Sequence, residues 1–176
     1  MIVEEQTISS DKIYTGRVIS LRVDTVEVPQ KGYKKREIVE HPGAVSILAI
    51  TPENKVVLVK QFRKAIEKAI WELPAGKLEP YENPKDCAIR ELQEETGYIA
   101  KNIKLIHKFY TSAGFSNQKI FIYLATELEK GEQKLEDGEF LDVCEVELNK
   151  AYDMLDKNEI EDAKTSIGLL LSKQLV

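Results

Sequence analysis

The sequence predicts an α+β fold or an α/β/α sandwich, with an antiparallel hairpin in the N-terminal region. Three observations predict it. Residues 13–29, IYTGRVISLRVDTVEVP, alternate Val, Ile and Leu with polar side chains, the period of a half-buried strand. The runs Ala44–Ile50 and Val56–Phe62 stand on either side of Thr51-Pro52-Glu53-Asn54 and read as two core strands joined by a short turn. Asn83-Pro84 and Gly97 bracket a helix-length stretch with matched start and stop signals.

In chain order, Pro29–Gly32 punctuates the first β stretch, and a β-like run around Lys35–Val39 completes the hairpin. Pro74-Ala75-Gly76 reads as a break. The helix that follows has an Asn N-cap and a proline in its first position, and it runs to about Thr96. Ile103–Tyr110 and Lys119–Thr126 are strands around a Ser/Gly/Asn loop, and Asp142–Leu148 is a further short strand. Two helices close the chain, about Asn149–Lys157 and Asp162–Gln174, the second with Ile167, Leu170 and Leu171 at helical spacing. The pattern leaves open which strands pair parallel and which antiparallel.

With 176 residues, 43% of them hydrophobic, the chain can bury one sizeable core but not two ordinary ones. A net charge of −5 with both signs interspersed argues against a nucleic-acid scaffold, whose phosphate contacts need a clustered basic face. Cys87 and Cys144 form no CxxC and no Cys/His spacing, so neither a disulfide framework nor a zinc site is indicated. No apolar run has the length of a signal peptide or a membrane span. A soluble, cytoplasmic protein without nucleic-acid or membrane partners is expected.

The helix after Asn83 carries the chemistry. At about 100° per residue, Glu91 and Glu95 lie one above the other with Glu94 beside them, and small Ala88 shares their stripe. Ile89 and Leu92 fall on a side suited to the core. Carboxylates one turn apart repel unless something neutralises them. A solvated acidic face is one explanation, and Arg90, four residues before Glu94, suits it as a helix salt bridge. A hard divalent cation is the other, because such ions take carboxylate oxygens, water and substrate phosphates.

The context decides between them. Gly76, Glu82, Arg90-Glu91, Leu92, Glu94-Glu95, Gly97 and Tyr98 meet every fixed position of Gx5Ex7REUxEExGU, with U bulky and apolar. This is the Nudix box. The phrases REIVEHPGAV, VVLVKQFRK and WELPAGKLE extend the likeness over nearly the whole chain, which resembles the ADP-ribose pyrophosphatase branch of the Nudix hydrolases. The resemblance implies a Nudix-type α/β/α sandwich with a mixed sheet. It divides the chain into an N-terminal β region, 1–40, that forms a dimer, and a hydrolase domain, 41–176, the two making one compact unit.

It also implies roles. Glu91, Glu95 and the carbonyl of Ala75 would be metal ligands, Glu94 a ligand or close neighbour acting in catalysis, and Arg90 would orient the carboxylates. Glu82 would sit near the cation cluster. In the acidic segment Leu135–Phe140, Glu139 matches a further metal ligand and Asp137 the place of the general base, with Glu136 competing for it. An Asp-Gly surface turn would explain that segment without chemistry. Arg36 and Arg63 would bind the diphosphate, since a guanidinium can grip phosphate bidentately, and Glu37 would join Arg36. Trp71 is either a stacking surface or core, and His41 and His107 receive no catalytic role.

The loop Thr111–Gln118 resembles the family's substrate loop, with Ser112 and Gln118 as substrate contacts. Ala113 stands where this branch typically has proline, and Gln118 where relatives commonly have glutamate. These departures bear on substrate identity more than on the chemistry. The implied reaction is Mg²⁺-dependent hydrolysis of ADP-ribose to AMP and ribose 5-phosphate, with Mn²⁺ as a substitute ion and a homodimer as the working form. The alternatives are another nucleoside diphosphate linked to a sugar or nucleotide, or a noncatalytic ADP-ribose-sensing module.

Overall fold

The computed structural model describes residues 2–175. Its contacts divide the chain into two compact units: Met1–Gly43 with Phe109–Lys119, and Ala44–Lys108 with Ile120–Val176.

The first unit is an antiparallel sheet of β1 (Gln6–Thr15), β2 (Ser20–Val28) and β3 (Gly32–Glu40), in that order. Two corrections arise here. The stretch 13–29 is not one strand, because the chain turns between β1 and β2, where the Gly16 N–H donates to the Ile19 carbonyl at 2.9 Å. The expected hairpin is therefore a three-stranded sheet. β1 itself gave no signal, since all ten of its residues are exposed and it has no apolar face to alternate. The turn from β2 to β3 follows the punctuation at Pro29: Lys31 N–H donates to the Val28 carbonyl at 2.9 Å and Gln30 takes a left-handed φ of 64°. Asp24 is buried in this sheet and accepts from Ser10 Oγ at 2.6 Å and Arg22 Nε at 3.1 Å.

The second unit holds β4 (Ala44–Ala49), β5 (Lys55–Arg63), β6 (Lys68–Glu72), β7 (Ala75–Lys77), α1 (Pro84–Thr96), β10 (Leu141–Glu147), α2 (Leu148–Asp156) and α3 (Ala163–Ser172). It also holds most of β8 (Tyr98–Tyr110) and β9 (Lys119–Lys130). One sheet has the order β7-β4-β9-β8, and β4 runs parallel to β9 and antiparallel to β7, so it is mixed as expected. The other, β10-β5-β6, is antiparallel. β4 explains the sandwich. Val45, Ile47 and Ala49 pack in one cluster with Cys87, Ala88 and Leu92 of α1. Leu48 and Ile50 pack in a second with Leu148, Ala151 and Met154 of α2 and Leu169 of α3. A strand covered on both faces loses its alternation and reads as a near-continuous apolar run, as Ala44–Ile50 does with Ser46 as its one polar residue.

Two expectations in this unit are corrected. Pro74-Ala75-Gly76 is not simply a break: Ala75–Lys77 pairs with Ser46, Val45 and Ala44, a short strand that depends on its partner rather than on its own sequence. Ile89 does not join the core; it is 38% exposed, while Cys87, Ala88 and Leu92 are fully buried. α1 packs on β4 and β7 along the stripe that contains Ala88 and the carboxylates, so the acidic side of the helix faces inward.

Candidate active site

Local chemistry sets α1 in place. Asn83 Oδ1 accepts from the Lys85 amide at 2.9 Å, Pro84 opens the first turn, and Gly97 closes the helix at φ 75° with its N–H donating to the Gln93 carbonyl. From this helix Arg90 spreads its guanidinium over three carboxylates. Nε and Nη2 donate to Glu82 at 2.9 and 3.0 Å, and Nη1 donates to Glu91 and to Glu94, each at 2.8 Å. Arg90 thus ties the loop before the helix to the acidic stripe.

Gly76 has a steric reason to be glycine. A Cβ there would come within 1.9 Å of the Glu91 carboxyl, so the side chain of Glu91 fills the space that any other residue would need. One residue earlier, the Ala75 N–H donates to Glu95 Oε2 at 2.9 Å. The Ala75-Gly76 corner therefore receives both carboxylates from α1. Glu95 is only 2% exposed. Burial, aided by the negative charges of Glu91 and Glu139, pushes the Glu95 carboxyl up to about 8, against the pull of the Ala75 amide. Glu91 rises to about 7 for the same first reason, with Arg90 opposing and Glu94 and Glu139 adding to the rise. Glu82, bonded to Arg90, is held down to about 2. Glu91, Glu95 and Glu139 therefore interact electrostatically.

Among the described residues no three Asp, Glu, His or Cys side chains converge closely enough to hold an ion as they stand. Oxygens of Glu91 and Glu94 turn to Arg90, and one of Glu95 turns to the Ala75 amide. The donor set nevertheless fits a hard cation: oxygens only, carboxylates whose ionised form is costly where they stand, and a glycine that keeps Glu91 against the loop.

A second charged cluster adjoins the first, and no spacing along the chain announces it. Arg63, the last residue of β5, grips Glu72 of β6 through Nε at 2.5 Å and Nη2 at 2.9 Å. Glu72 is 1% exposed and also accepts from Lys164 Nζ at the start of α3. Lys164 in turn donates to Asp162 Oδ1 at 2.9 Å, and Asp162 Oδ2 caps the helix by accepting from Thr165 N–H at 2.9 Å. Arg63 lies close enough to Glu95 for their charges to interact. Glu72 belongs to the phrase WELPAG, but Lys164 is more than ninety residues away along the chain and no local pattern joins them.

Of the remaining expected residues, Glu136, Asp137 and Glu139 stand in a turn in which Glu139 N–H donates to the Glu136 carbonyl at 3.0 Å and Gly138 takes φ 85°. Glu139, half-buried, acts electrostatically on Glu91 and Glu95; Asp137 and Glu136 are exposed. Trp71 packs partly buried against the second core cluster, with Lys60 Nζ 5.1 Å from its ring centre. Arg36, Glu37, Ser112 and Gln118 belong to the first unit. There Arg36 pairs with Glu5 at 2.9 Å through Nε and 2.5 Å through Nη2, and Glu37 sits opposite Val23 in the sheet. The Ser112 carbonyl accepts from Phe115 and Ser116, and Gln118 Oε1 accepts from Thr111 Oγ1 at 2.9 Å.

The family model of the NUDIX domain matches residues 40–167, and the Gly76–Tyr98 box with its inward carboxylates lies inside that span. The chain belongs to the Nudix family. Similar Nudix chains include the ADP-ribose pyrophosphatase of Bacillus subtilis (strain 168), 49% identical over 94% of this chain and 91% of that one. The methanol dehydrogenase activator of Bacillus methanolicus is 47% identical over the same shares. A solved ADP compounds hydrolase superposes with a TM-score of 0.87 over 99% of this chain and 95% of its own, at 19% identity, a likeness of fold alone. In this Nudix hydrolase the box residues form the Arg90 fan and the Ala75-Gly76 corner, while Glu72, Asp162 and Lys164 lie outside the box.

Proposed function

We propose that this Nudix hydrolase cleaves the diphosphate linkage of ADP-ribose, giving AMP and ribose 5-phosphate, with Mg²⁺ as its ion and Mn²⁺ as a substitute. One observation carries the proposal: half-buried Glu91 and buried Glu95 carry carboxyls pushed up to about 7 and about 8, an arrangement that gains when a divalent cation neutralises it. The 49% identical ADP-ribose pyrophosphatase supports the substrate.

Glu91, Glu95, Glu139 and the Ala75 carbonyl would hold the ion. When bound, it supplies positive charge against the diphosphate oxygens and favours loss of a proton from water. Arg90 keeps Glu91 and Glu94 oriented through its two 2.8 Å bonds. Arg63 grips Glu72 with one edge of its guanidinium and offers the remaining N–H groups to the diphosphate. Asp137 takes the proton of the attacking water, with Glu136 as the competing base. Arg36, Glu37, Ser112 and Gln118 bind the rest of the substrate. The working form is a cytoplasmic homodimer, in which a second copy covers Ile8, Ile13, Tyr14 and Tyr33, all at least half exposed on the N-terminal unit.

Purified protein with Mg²⁺ is expected to release AMP from ADP-ribose faster than from nucleotide sugars or dinucleoside polyphosphates. Faster turnover of another compound replaces the substrate. Binding of ADP-ribose without turnover in Mg²⁺ or Mn²⁺ favours the sensing module. The relative named as an activator of methanol dehydrogenase motivates a second reading, that the chain stimulates a dehydrogenase. Adding the chain to a methanol dehydrogenase assay decides it, an unchanged rate rejecting that role.

A further inference from the structure

We infer that Lys164, at the start of α3, is a positioning residue for diphosphate binding: by sharing Glu72 with Arg63 it presents Arg63 to an anionic substrate as part of a neutral cluster. The inference rests on the reading of Arg63 as a diphosphate ligand given above.

The geometry has three parts. Arg63 spends its Nε edge on Glu72, which fixes the plane of the guanidinium and leaves Nη1 outside the pair. Its side chain is 42% exposed, whereas Glu72 is 1% exposed, so Arg63 is the member of the pair that reaches solvent. Lys164, with 15% of its side chain exposed, closes the other side of Glu72 and is itself held by Asp162.

Charge makes Lys164 matter. Arg63 and Lys164 offset Glu72 and Asp162, so the four groups sum to zero. Without Lys164 the same group carries one net negative charge beside Glu95, and a diphosphate approaching Arg63 meets repulsion. Glu72 would also lose one of the two cations that hold it, and an arginine that must be ordered on binding loses affinity to side-chain entropy.

The same helix start holds the backbone that leads to the carboxylates. Leu73 N–H donates to Thr165 Oγ1 at 2.8 Å, and Thr165 Oγ1 donates to Asp162 Oδ2 at 2.6 Å. The Pro74 carbonyl accepts from Ile47 N–H at 2.8 Å, and Ala75 N–H donates to Glu95. Every residue from Glu72 to Ala75 is thus pinned, the first two from α3. A Cβ on Gly168 would meet Leu73 Cδ1 at 2.6 Å, so the helix sits close against this segment.

The test is a double-mutant cycle on Lys164→Met and Arg63→Ala, read as KM and kcat for ADP-ribose with Mg²⁺ and as Kd for inorganic pyrophosphate, which needs no turnover. Lys164→Met is expected to raise KM and Kd about tenfold with kcat within about twofold, and Lys164→Arg to restore most of the loss. In the Arg63→Ala background Lys164→Met should add nothing. An unchanged KM and Kd in Lys164→Met, or an equal effect with and without Arg63, overturns the inference. So does an Arg63→Ala variant that binds pyrophosphate normally. If Lys164→Met does not fold, Lys164→Gln replaces it, because the amide removes the charge and can still donate to Glu72; a rise in KM and Kd is again expected, and none overturns the inference. Failure of the wild type to cleave ADP-ribose sinks the functional reading, and the pyrophosphate cycle still judges the role of Lys164.

Discussion

Glu72 and Glu95 are buried almost equally, 1% and 2% exposed, and belong to adjoining clusters, but their carboxyls shift in opposite directions. Burial raises both. At Glu72 it is outweighed by the fork from Arg63 and by Lys164, and the carboxyl lies below its ordinary range. At Glu95 a hydrogen bond from the Ala75 amide favours the ionised form, while Glu91 and Glu139 add to the rise, and the carboxyl reaches about 8. The protein has neutralised the first carboxylate with its own side chains and left the second short of positive charge. A self-sufficient ion cluster needs no added ion. An anionic one at the same depth is a place for a cation, and the price is stability.

Variants can break this contrast. The largest effect is expected from Glu95→Gln, which should lower kcat for ADP-ribose by about 10³-fold, while metal-free protein at pH 8 melts at or above the wild-type temperature because a buried charge is gone. A matching loss of folding would place Glu95 with Glu72 as a structural residue. Glu72→Gln should do the reverse, costing about 3 kcal/mol because Lys164 is left without its main partner, with a fall in Tm of about 6–12 °C in a domain of this size. Thermal unfolding reads both.

The smallest expected effect is a pH dependence that separates the clusters. Glu91 and Glu95 bind their protons more tightly folded than unfolded, where the value is 4.5. Their contribution to stability is therefore complete below 4.5 and is lost as pH rises through about 7 and about 8. Glu72, lowered in the folded protein, contributes above 4.5 and loses its contribution as the medium becomes more acidic than that. In EDTA the Tm should be highest in the weakly acidic range and fall on both sides. Mg²⁺ should lift the alkaline side alone, Glu95→Gln should flatten it, and Glu72→Gln should flatten the acid side. A Tm in EDTA that rises steadily from pH 6 to 9 contradicts the raised carboxyls.

Local signals were legible where local interactions decide. Asn83, Pro84 and Gly97 set the bounds of α1 because capping needs only neighbours within a turn, and the two-sided core strand of Ala44–Ile50 shows in its apolar run. β1 was not legible, since a fully exposed strand has no burial pattern to impose on its sequence. β7 was not either, because three residues pair only when β4 is beside them. Ile89 misled for a related reason: spacing puts it opposite the carboxylates, but which side of a helix faces inward depends on what packs there.

The sequence by itself determined the carboxylate helix and, through the motif from Gly76 to Tyr98, the family, because residue types at fixed spacing along one helix are a local matter. Only the tertiary structure decided that this acidic stripe turns inward, that Gly76 yields its Cβ space to Glu91, and that Arg63 is held by a buried Glu72 shared with Lys164. Those facts depend on burial and on charges brought together from distant parts of the chain, which spacing along a sequence does not encode.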